Sequence, residues 1–201
     1  MAIEDTYYTI AESTESLFKD KGSKFFGFAF PANDEDEAKF YLEEVKKKHP
    51  KARHYCYAYR LGTDDDNFRA NDDGEPSGSA GKPILNVLLS NNLRNVFVVV
   101  VRYFGGTLLG VPGLINAYKM ATQEALELAK FEEKTINESL EVSFNIQYMN
   151  DVMRIIKKYD LNILSQDYTD RYILSIEVRL SLLDEVKVDF EEMSFMGVEV
   201  K

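Results

Sequence analysis

The chain has no tryptophan, one cysteine and two histidines among its 201 residues. A lone cysteine, Cys56, excludes an intrachain disulfide framework and fits a reducing compartment. With only His49 and His54 beside it, the four-ligand set of a structural zinc site cannot be assembled from soft donors. No metal and no cofactor are expected. Cationic excess is missing too: 24 Lys and Arg stand against 34 Asp and Glu, a formal net charge of -10. Broad nonspecific binding to nucleic acid relies on cationic surface, so no DNA partner is expected. Splitting the chain near residue 136 leaves -4 before and -6 after, so neither part is a basic module, and any cationic groove must be small and local. No apolar run approaches the roughly 18 residues of a membrane span, and the first residues lack the basic-then-apolar layout of a secretory leader. The expectation is a cytoplasmic protein with no membrane partner.

What is present is ordinary globular composition, 45% hydrophobic and 29% charged, enough for a sizeable core. Short β-rich runs occupy Tyr7 to Phe30 around a Lys21-Gly22 turn. In Ser23 to Phe30 (SKFFGFAF) an extended strand puts Lys24, Phe26, Phe28 and Phe30 on one side. After Pro31, Asn33 or Asp34 can cap a helix reaching about His49, with acids in its first turn and Lys46-Lys47-Lys48 in its last. RHYCYAYRL, Arg53 to Leu61, reads as a strand with His54, Cys56 and Ala58 on one face and Tyr55, Tyr57 and Tyr59 on the other. A helix is expected from Pro83 to about Ser90. The β-branched run within Asn95 to Tyr103 predicts a strand buried on both faces. A glycine-rich turn, Phe104 to Gly113, then opens a helix near Pro112 that runs to about Lys130, with Pro112 at its first position.

From Glu138 the pattern resets. Leu140 to Tyr148 reads as a strand and Asn150 to Tyr159 as a helix with Val152, Ile155, Ile156 and Tyr159 inward. Ile163 to Tyr168 and Tyr172 to Leu180 form a hairpin around Thr169-Asp170-Arg171, followed by a helix over Leu182 to Ser194 and a short strand over Val198 to Val200. The β-α-β-β-α-β order is that of the ferredoxin-like plan. The fold class is α+β in two domains, residues 1–135 and 136–201.

Known catalytic patterns fit poorly. In FGGTLLGVPG, Gly105 and Gly110 have Walker spacing, but Val111-Pro112 stands where Lys-Ser/Thr would contact phosphate and magnesium. Glycines ahead of a helix can still offer N–H groups to an anion, or simply make a tight turn. Ser77 and Ser79 lack the nucleophile-elbow context. Cys56 reads as a small buried hydrophobe, and His49, at a lysine-rich helix end, as a dipole or solvent residue. His54 is either a packed polar residue or a site residue. Asp72, Asp73 and Glu75 could hold a hard cation or act as an acid/base pair. Alternatively Asp72-Asp73-Gly74 forms a turn and Ser77 or Ser79 caps the next helix. Arg102 ends an apolar strand, and a charge there must be paired or lie at a site rim; an acid of the 72–75 loop would supply the pair.

Taken in order, Lys24-Phe25-Phe26, Ala52 through Arg60 (ARHYCYAYR), Asn71 through Pro83 (NDDGEPSGSAGKP) and Val101-Arg102-Tyr103-Phe104-Gly105-Gly106-Thr107, continuing through Gly110, Gly113-Leu114 and Ala117-Tyr118, resemble the Impact family, whose bacterial members are called YigZ-like. The resemblance covers roughly residues 1 to 130. The tail is similar, by layout, to the ferredoxin-like domain that follows in bacterial members. The resemblance implies a ribosomal-protein-S5-domain-2-like N-terminal domain and a pair of domains similar to two consecutive domains of translocating elongation factors. Eukaryotic relatives modulate the amino-acid-starvation response by competing for an activator of a translation-initiation-factor kinase, using an additional N-terminal RWD domain. That segment is not expected here, and neither is that partner. Where the family usually reads GG-T-K-L-G-x-G-G-L-V-R-A-Y, this chain has Leu108 for the lysine, Pro112 for a glycine and Asn116 for the arginine, which weakens an anion contact at that turn.

The expected function is a non-enzymatic binding protein with a translation-related regulatory role, contacting a ribosome, RNA or translation-factor surface. The candidate cleft lies between the 71–83 loop and the 102–110 turn. The loop contributes Asp72, Asp73, Gly74, Glu75, Pro76, Ser77, Gly78 and Ser79. The turn contributes Arg102, Tyr103, Phe104, Gly105 and Gly106, and Lys24 and His54 flank it. The alternative is a small-molecule hydrolase or transferase using the DDGEPSGS loop and His54.

Overall fold

The strand Val96–Tyr103 (β6) decides the architecture of the first part of the chain. Its β-branched residues favour extended backbone and are apolar on both faces, so cover is needed on each side. Val96 through Val101 are each at most 1% exposed. In the computed structural model, which describes residues 5–64, 66–193 and 198–200, β6 is the central strand of a five-stranded sheet. Its neighbours are β3 (Ser23–Pro31) and β4 (His54–Arg60), with β2 (Thr14–Asp20) and β5 (Phe68–Asn71) at the edges. Every adjacent pair is antiparallel. A separate ribbon pairs β1 (Thr6–Ile10) with β7 (Phe131–Thr135).

The period of two in the strands sorts their side chains into two cores. On one face Phe25, Ala29, Cys56, Ala58, Val98 and Val100 meet Ile84 and Leu88 of α2 (Gly81–Ser90) and Leu114, Tyr118 and Ala121 of α3 (Gly110–Glu127). On the other, Phe28, Tyr59, Phe97, Val99 and Val101 meet Ala38 and Val45 of α1 (Glu35–Lys48), with Tyr55 and Tyr57 packed alongside. The alternation expected for RHYCYAYRL is present. Gly27 lets α3 close on β3: a methyl group there would sit 2.4 Å from the Ala121 carbonyl oxygen.

Asp34 caps α1, its Oδ1 accepting from the N–H groups of Asp36 and Glu37 at 2.9 and 2.8 Å. Helix α3 starts at Gly110, so Pro112 is its third residue and not its first. Proline fits there because amides of the first turn have no intrahelical partner. His49 differs from the solvent role expected of it. It is 9% exposed, its Nδ1 lies 3.1 Å from the Tyr103 hydroxyl, and its ring contacts Phe26 and Phe28. The chain leaves α1 there and turns His49 under the sheet, and burial lowers its pKa from the ordinary 6.5.

The chain divides into two compact units, Tyr7–Lys134 and Thr135–Lys201 with Met1–Thr6. The second runs β8 (Asn137–Phe144), α4 (Met149–Lys158), β9 (Asn162–Tyr168), β10 (Tyr172–Arg179), α5 (Leu183–Glu191) and β11 (Glu199–Val200). Its sheet order is β11-β8-β10-β9, antiparallel throughout. Leu140, Val142, Leu174, Ile176 and Val178 project onto Val152, Ile156, Val186 and Phe190 of the helices. Strand β8 stops at Phe144, four residues short of the expected end, because Ile146–Tyr148 form a 3-10 turn into α4. The expected end of the last helix, Ser194, lies outside the described residues. No helix among the described residues is long and apolar enough to cross a membrane.

Asp5 ties the start of the chain into this second unit. Its carboxylate accepts from Arg179 Nε at 2.6 Å and Nη2 at 2.9 Å, and from the Ser181 N–H at 3.2 Å. The hydrogen bonds from Arg179, then those from Ser181, hold its pKa well below the ordinary 3.8. A depressed carboxylate stabilises the fold above its unfolded value and loses that contribution as pH falls through the folded one. Asp5→Asn is therefore expected to melt below the parent chain at neutral pH, with the gap closing as pH falls below 3.8. Parallel pH-dependent melting curves would contradict this.

Candidate functional site

The segment Asn71 to Gly81 folds back on itself around its acids. Asp73, Gly74 and Gly78 have left-handed backbone, φ 39°, 85° and 74°, which glycine adopts freely and Asp tolerates in turns. The reversal carries Asp72 under the start of α2. Its Oδ1 accepts from Ala80 N at 3.0 Å and Gly81 N at 2.8 Å, and its Oδ2 accepts from Gly78 N at 2.8 Å. The cap of α2 is thus Asp72, and not Ser77 or Ser79 as the spacing suggested. Ser79 is fully buried and donates its hydroxyl to the Pro76 carbonyl at 2.6 Å, while Ser77 is exposed. Burial alone would raise the Asp72 pKa, but the three backbone donors outweigh it and the result is lowered. Gly81 is required by proximity: a Cβ would meet Asn71 N at 2.5 Å.

Asn71 Oδ1 accepts from Asp73 N at 2.8 Å, and Asp73 Oδ2 accepts from Tyr55 N at 2.6 Å. His54 Nδ1 lies 2.9 Å from the Asp73 carbonyl oxygen. A carbonyl only accepts, so Nδ1 is the donor in this contact. Cys56 Sγ lies 3.0 Å from the Asp72 carbonyl oxygen and 3.3 Å from the Tyr118 hydroxyl. Burial pushes its pKa far above the ordinary thiol value, so it is an inert packed group.

Glu75 closes the arrangement. Its Oε1 accepts from Arg102 Nη1 at 2.7 Å and from the Tyr118 hydroxyl at 2.8 Å. The side chains of Arg102 and Glu75 are 8% and 4% exposed, and the guanidinium also sits 5.6 Å from the ring centres of Phe25 and Phe104. Arg102 therefore meets an acid of the 72–75 loop as expected, and that acid is Glu75. Tyr118 enters the sequence reading only as one of the residues of the family resemblance, without a role. The clue to more was its hydroxyl, which needs a partner when buried.

The 102–110 turn approaches the first hairpin closely. Ser23 Oγ accepts from Gly105 N at 3.1 Å, and a Cβ on Gly105 would lie 1.9 Å from the Gly22 carbonyl carbon. Gly106 has φ 89° with open space around it.

The expected site residues do not all share one surface. His54, Asp72, Asp73, Glu75 and Arg102 gather on the α2–α3 side of the sheet. Lys24 and Tyr103 belong to the α1 side, where they line a groove of about 320 Å³ with Gly22, Phe26, His49 and Phe104. Arg102 and Tyr103 are consecutive strand residues, so they necessarily point apart.

This constellation can be compared with known proteins. Residues 21–126 match the family described as Impact N-terminal domain. An IMPACT family member of Haemophilus influenzae is 32% identical over 176 residues, 87% of this chain and 85% of that one. The chain belongs to the IMPACT family. Another IMPACT family member, YigZ of Escherichia coli, is 31% identical over 87% of this chain and 86% of its own length. A crystal structure described as that of a hypothetical protein superposes with a TM-score of 0.71 at 28% identity, covering 98% and 97% of the two chains.

The pairing at the centre of this IMPACT-family motif is testable by a double-mutant cycle. Arg102→Leu leaves Glu75 buried without its cation and is expected to cost about 3–5 kcal/mol. Combining it with Glu75→Leu should restore a substantial part of the loss. Strictly additive losses in thermal or urea unfolding would show that the two side chains are not coupled.

Proposed function

We propose that this IMPACT-family chain is a non-enzymatic binding protein with a translation-related regulatory role in the cytoplasm, contacting a ribosome, RNA or translation-factor surface. On this reading residues 1–135 are an S5-domain-2-like domain and residues 136–201 a ferredoxin-like one. The second assignment is supported by the β8-α4-β9-β10-α5-β11 order and the antiparallel arrangement β11-β8-β10-β9. The binding surface is the end of the five-stranded sheet where the 71–83 loop and the 102–110 turn meet it.

One observation carries the reading: the acids of the motif are engaged in holding the loop's shape. Asp72 binds three backbone N–H groups, Asp73 binds Tyr55 N, and Glu75 binds Arg102 and Tyr118. Groups committed this way make a rigid surface, which is what recognition without ordering cost requires. The translation context rests on family membership and on the likeness to elongation-factor domains that the motifs imply.

A hydrolase or transferase remains the second reading, favoured by the anchoring of His54, whose Nδ1 is held by the Asp73 carbonyl while Nε2 is left to other partners. Against it, Ser79 is buried and already donates to Pro76, and His54 meets the loop at Asp73. Co-sedimentation at moderate salt should enrich the protein in ribosomal fractions, and its absence from every ribosomal and polysomal fraction would overturn the binding reading. In an activity screen, the parent chain and the variant carrying His54→Ala with Asp73→Asn should give equal traces. A turnover lost only in the variant would establish the enzyme instead.

A further inference from the structure

One rung at the end of the five-stranded sheet sets three side chains in a row. Lys19 opposes Lys24 across β2 and β3, and Lys24 opposes Tyr103 across β3 and β6. Residues directly opposite in an antiparallel pair project to the same face, and like charges so placed destabilise the pair. Neither lysine has an acidic partner among the described contacts. Both are exposed, so in a chain of net charge -10 their charges stand open to an anion from outside.

The groove beside this rung fits the rest of such a molecule. Its walls are Gly22, Lys24, Phe26, His49, Tyr103 and Phe104, with no acid among them. Phe26 and Tyr103 meet edge to face at 5.8 Å, and His49 lies 4.8 Å from Phe26. Phe104 remains 58% exposed although Arg102 contacts its ring. At about 320 Å³, the groove sits at the small end of the roughly 300–1,000 Å³ typical of ligand clefts.

We infer that this groove binds single-stranded RNA, one base stacking on Phe104 and Tyr103 and the adjoining phosphates meeting Lys24 and Lys19. Aromatic faces take up unstacked bases, and lysines at the rim take up the backbone, the combination that single-strand binding uses. A duplex hides its base faces and is not a ligand. The assignment rests on the binding reading above, names the partner's chemistry and adds a contact surface on the α1 side of the sheet, across it from the 71–83 loop.

The test is fluorescence anisotropy of the full chain with short labelled oligoadenylate and oligouridylate. Three variants are compared: Phe104→Ala, Lys24→Glu and, on α3 away from the groove, Lys119→Glu. The parent chain should bind and weaken as salt rises. Phe104→Ala should bind about tenfold more weakly, and Lys24→Glu should weaken binding and flatten the salt dependence by about one unit of slope. Lys119→Glu should bind as the parent does. No binding by the parent chain at low salt, or equal losses in all three variants, would overturn the assignment. Tighter binding of the matching deoxy strands would overturn RNA as the occupant. Melting curves establish that each variant folds; if Phe104→Ala does not, Phe104→Leu and Lys24→Gln give the same comparison. Ribosome association unchanged in Lys24→Glu and Phe104→Ala would overturn the groove and leave the binding reading standing. Association lost in those variants while the parent chain shows no oligonucleotide affinity would give the groove to a protein partner, which also overturns it.

Discussion

The carboxylate of Glu75, held between Arg102 and Tyr118, is the contact on which the rest of the first unit depends. It joins the loop to the last turn of the central strand and to the middle of α3. Both charges are almost fully removed from water, at a desolvation cost of several kcal/mol per ion. Their attraction and the Tyr118 hydroxyl offset that cost only while the geometry holds. The loop therefore cannot drift from the sheet without leaving two buried charges unpaired. Once Glu75 is fixed, Asp72, three residues earlier, is delivered to the start of α2, whose first amides it satisfies. One ion pair thus sets the position of a loop, and the loop sets the position of a helix.

The same end of the sheet is drawn together a second time by backbone contact. Gly22 and Gly105 approach so closely that neither tolerates a side chain, and the Ser23 hydroxyl accepts from Gly105 N. Arg102, Tyr103 and Phe104 lie between the two fastenings. Arg102 faces the motif, Tyr103 faces the groove, and the guanidinium touches the Phe104 ring. The rigidity built on one face is therefore carried to the other through two or three covalent links. An aromatic wall supported this way is preorganised for stacking, and little side-chain entropy remains to be lost on binding.

Much of this was legible in the residues, and the misses share a cause. The two-faced burial of β6, the alternation in β4 and the cap of α1 follow from periodicity and local chemistry. The need of Arg102 for an acid follows from the cost of a lone buried charge. Which acid answers it was not legible, because Asp72, Asp73 and Glu75 are equivalent until the left-handed residues Asp73, Gly74 and Gly78 decide the path of the loop. For the same reason Ser79, adjacent to α2, reads as its cap, although an aspartate eight residues before Ala80 reaches the amides first. His49 reads as exposed because its neighbours are lysines. Its burial is set by aromatic partners on β3 and β6 that local sequence does not contain. The split of the candidate cleft was hidden similarly. Arg102 and Tyr103 are neighbours in the chain, but a strand assigns them to opposite faces.

The replaced cation of the 102–110 turn takes on a definite meaning in this geometry. Leu108, where the related motif carries lysine, is 83% exposed, and α3 begins at Gly110 without a side-chain cap. The turn's glycines are accounted for by close approach to Gly22 and by left-handed backbone at Gly106 and Gly110. An anion arriving at the turn itself would meet an apolar leucine in place of a charge. Lys19 and Lys24, without an acidic partner among the described residues, are on the α1 side, next to the aromatic groove. Cations and exposed aromatic surface thus coincide on one face, while the acids of the 71–83 loop lie on the other and hold this end of the sheet in shape.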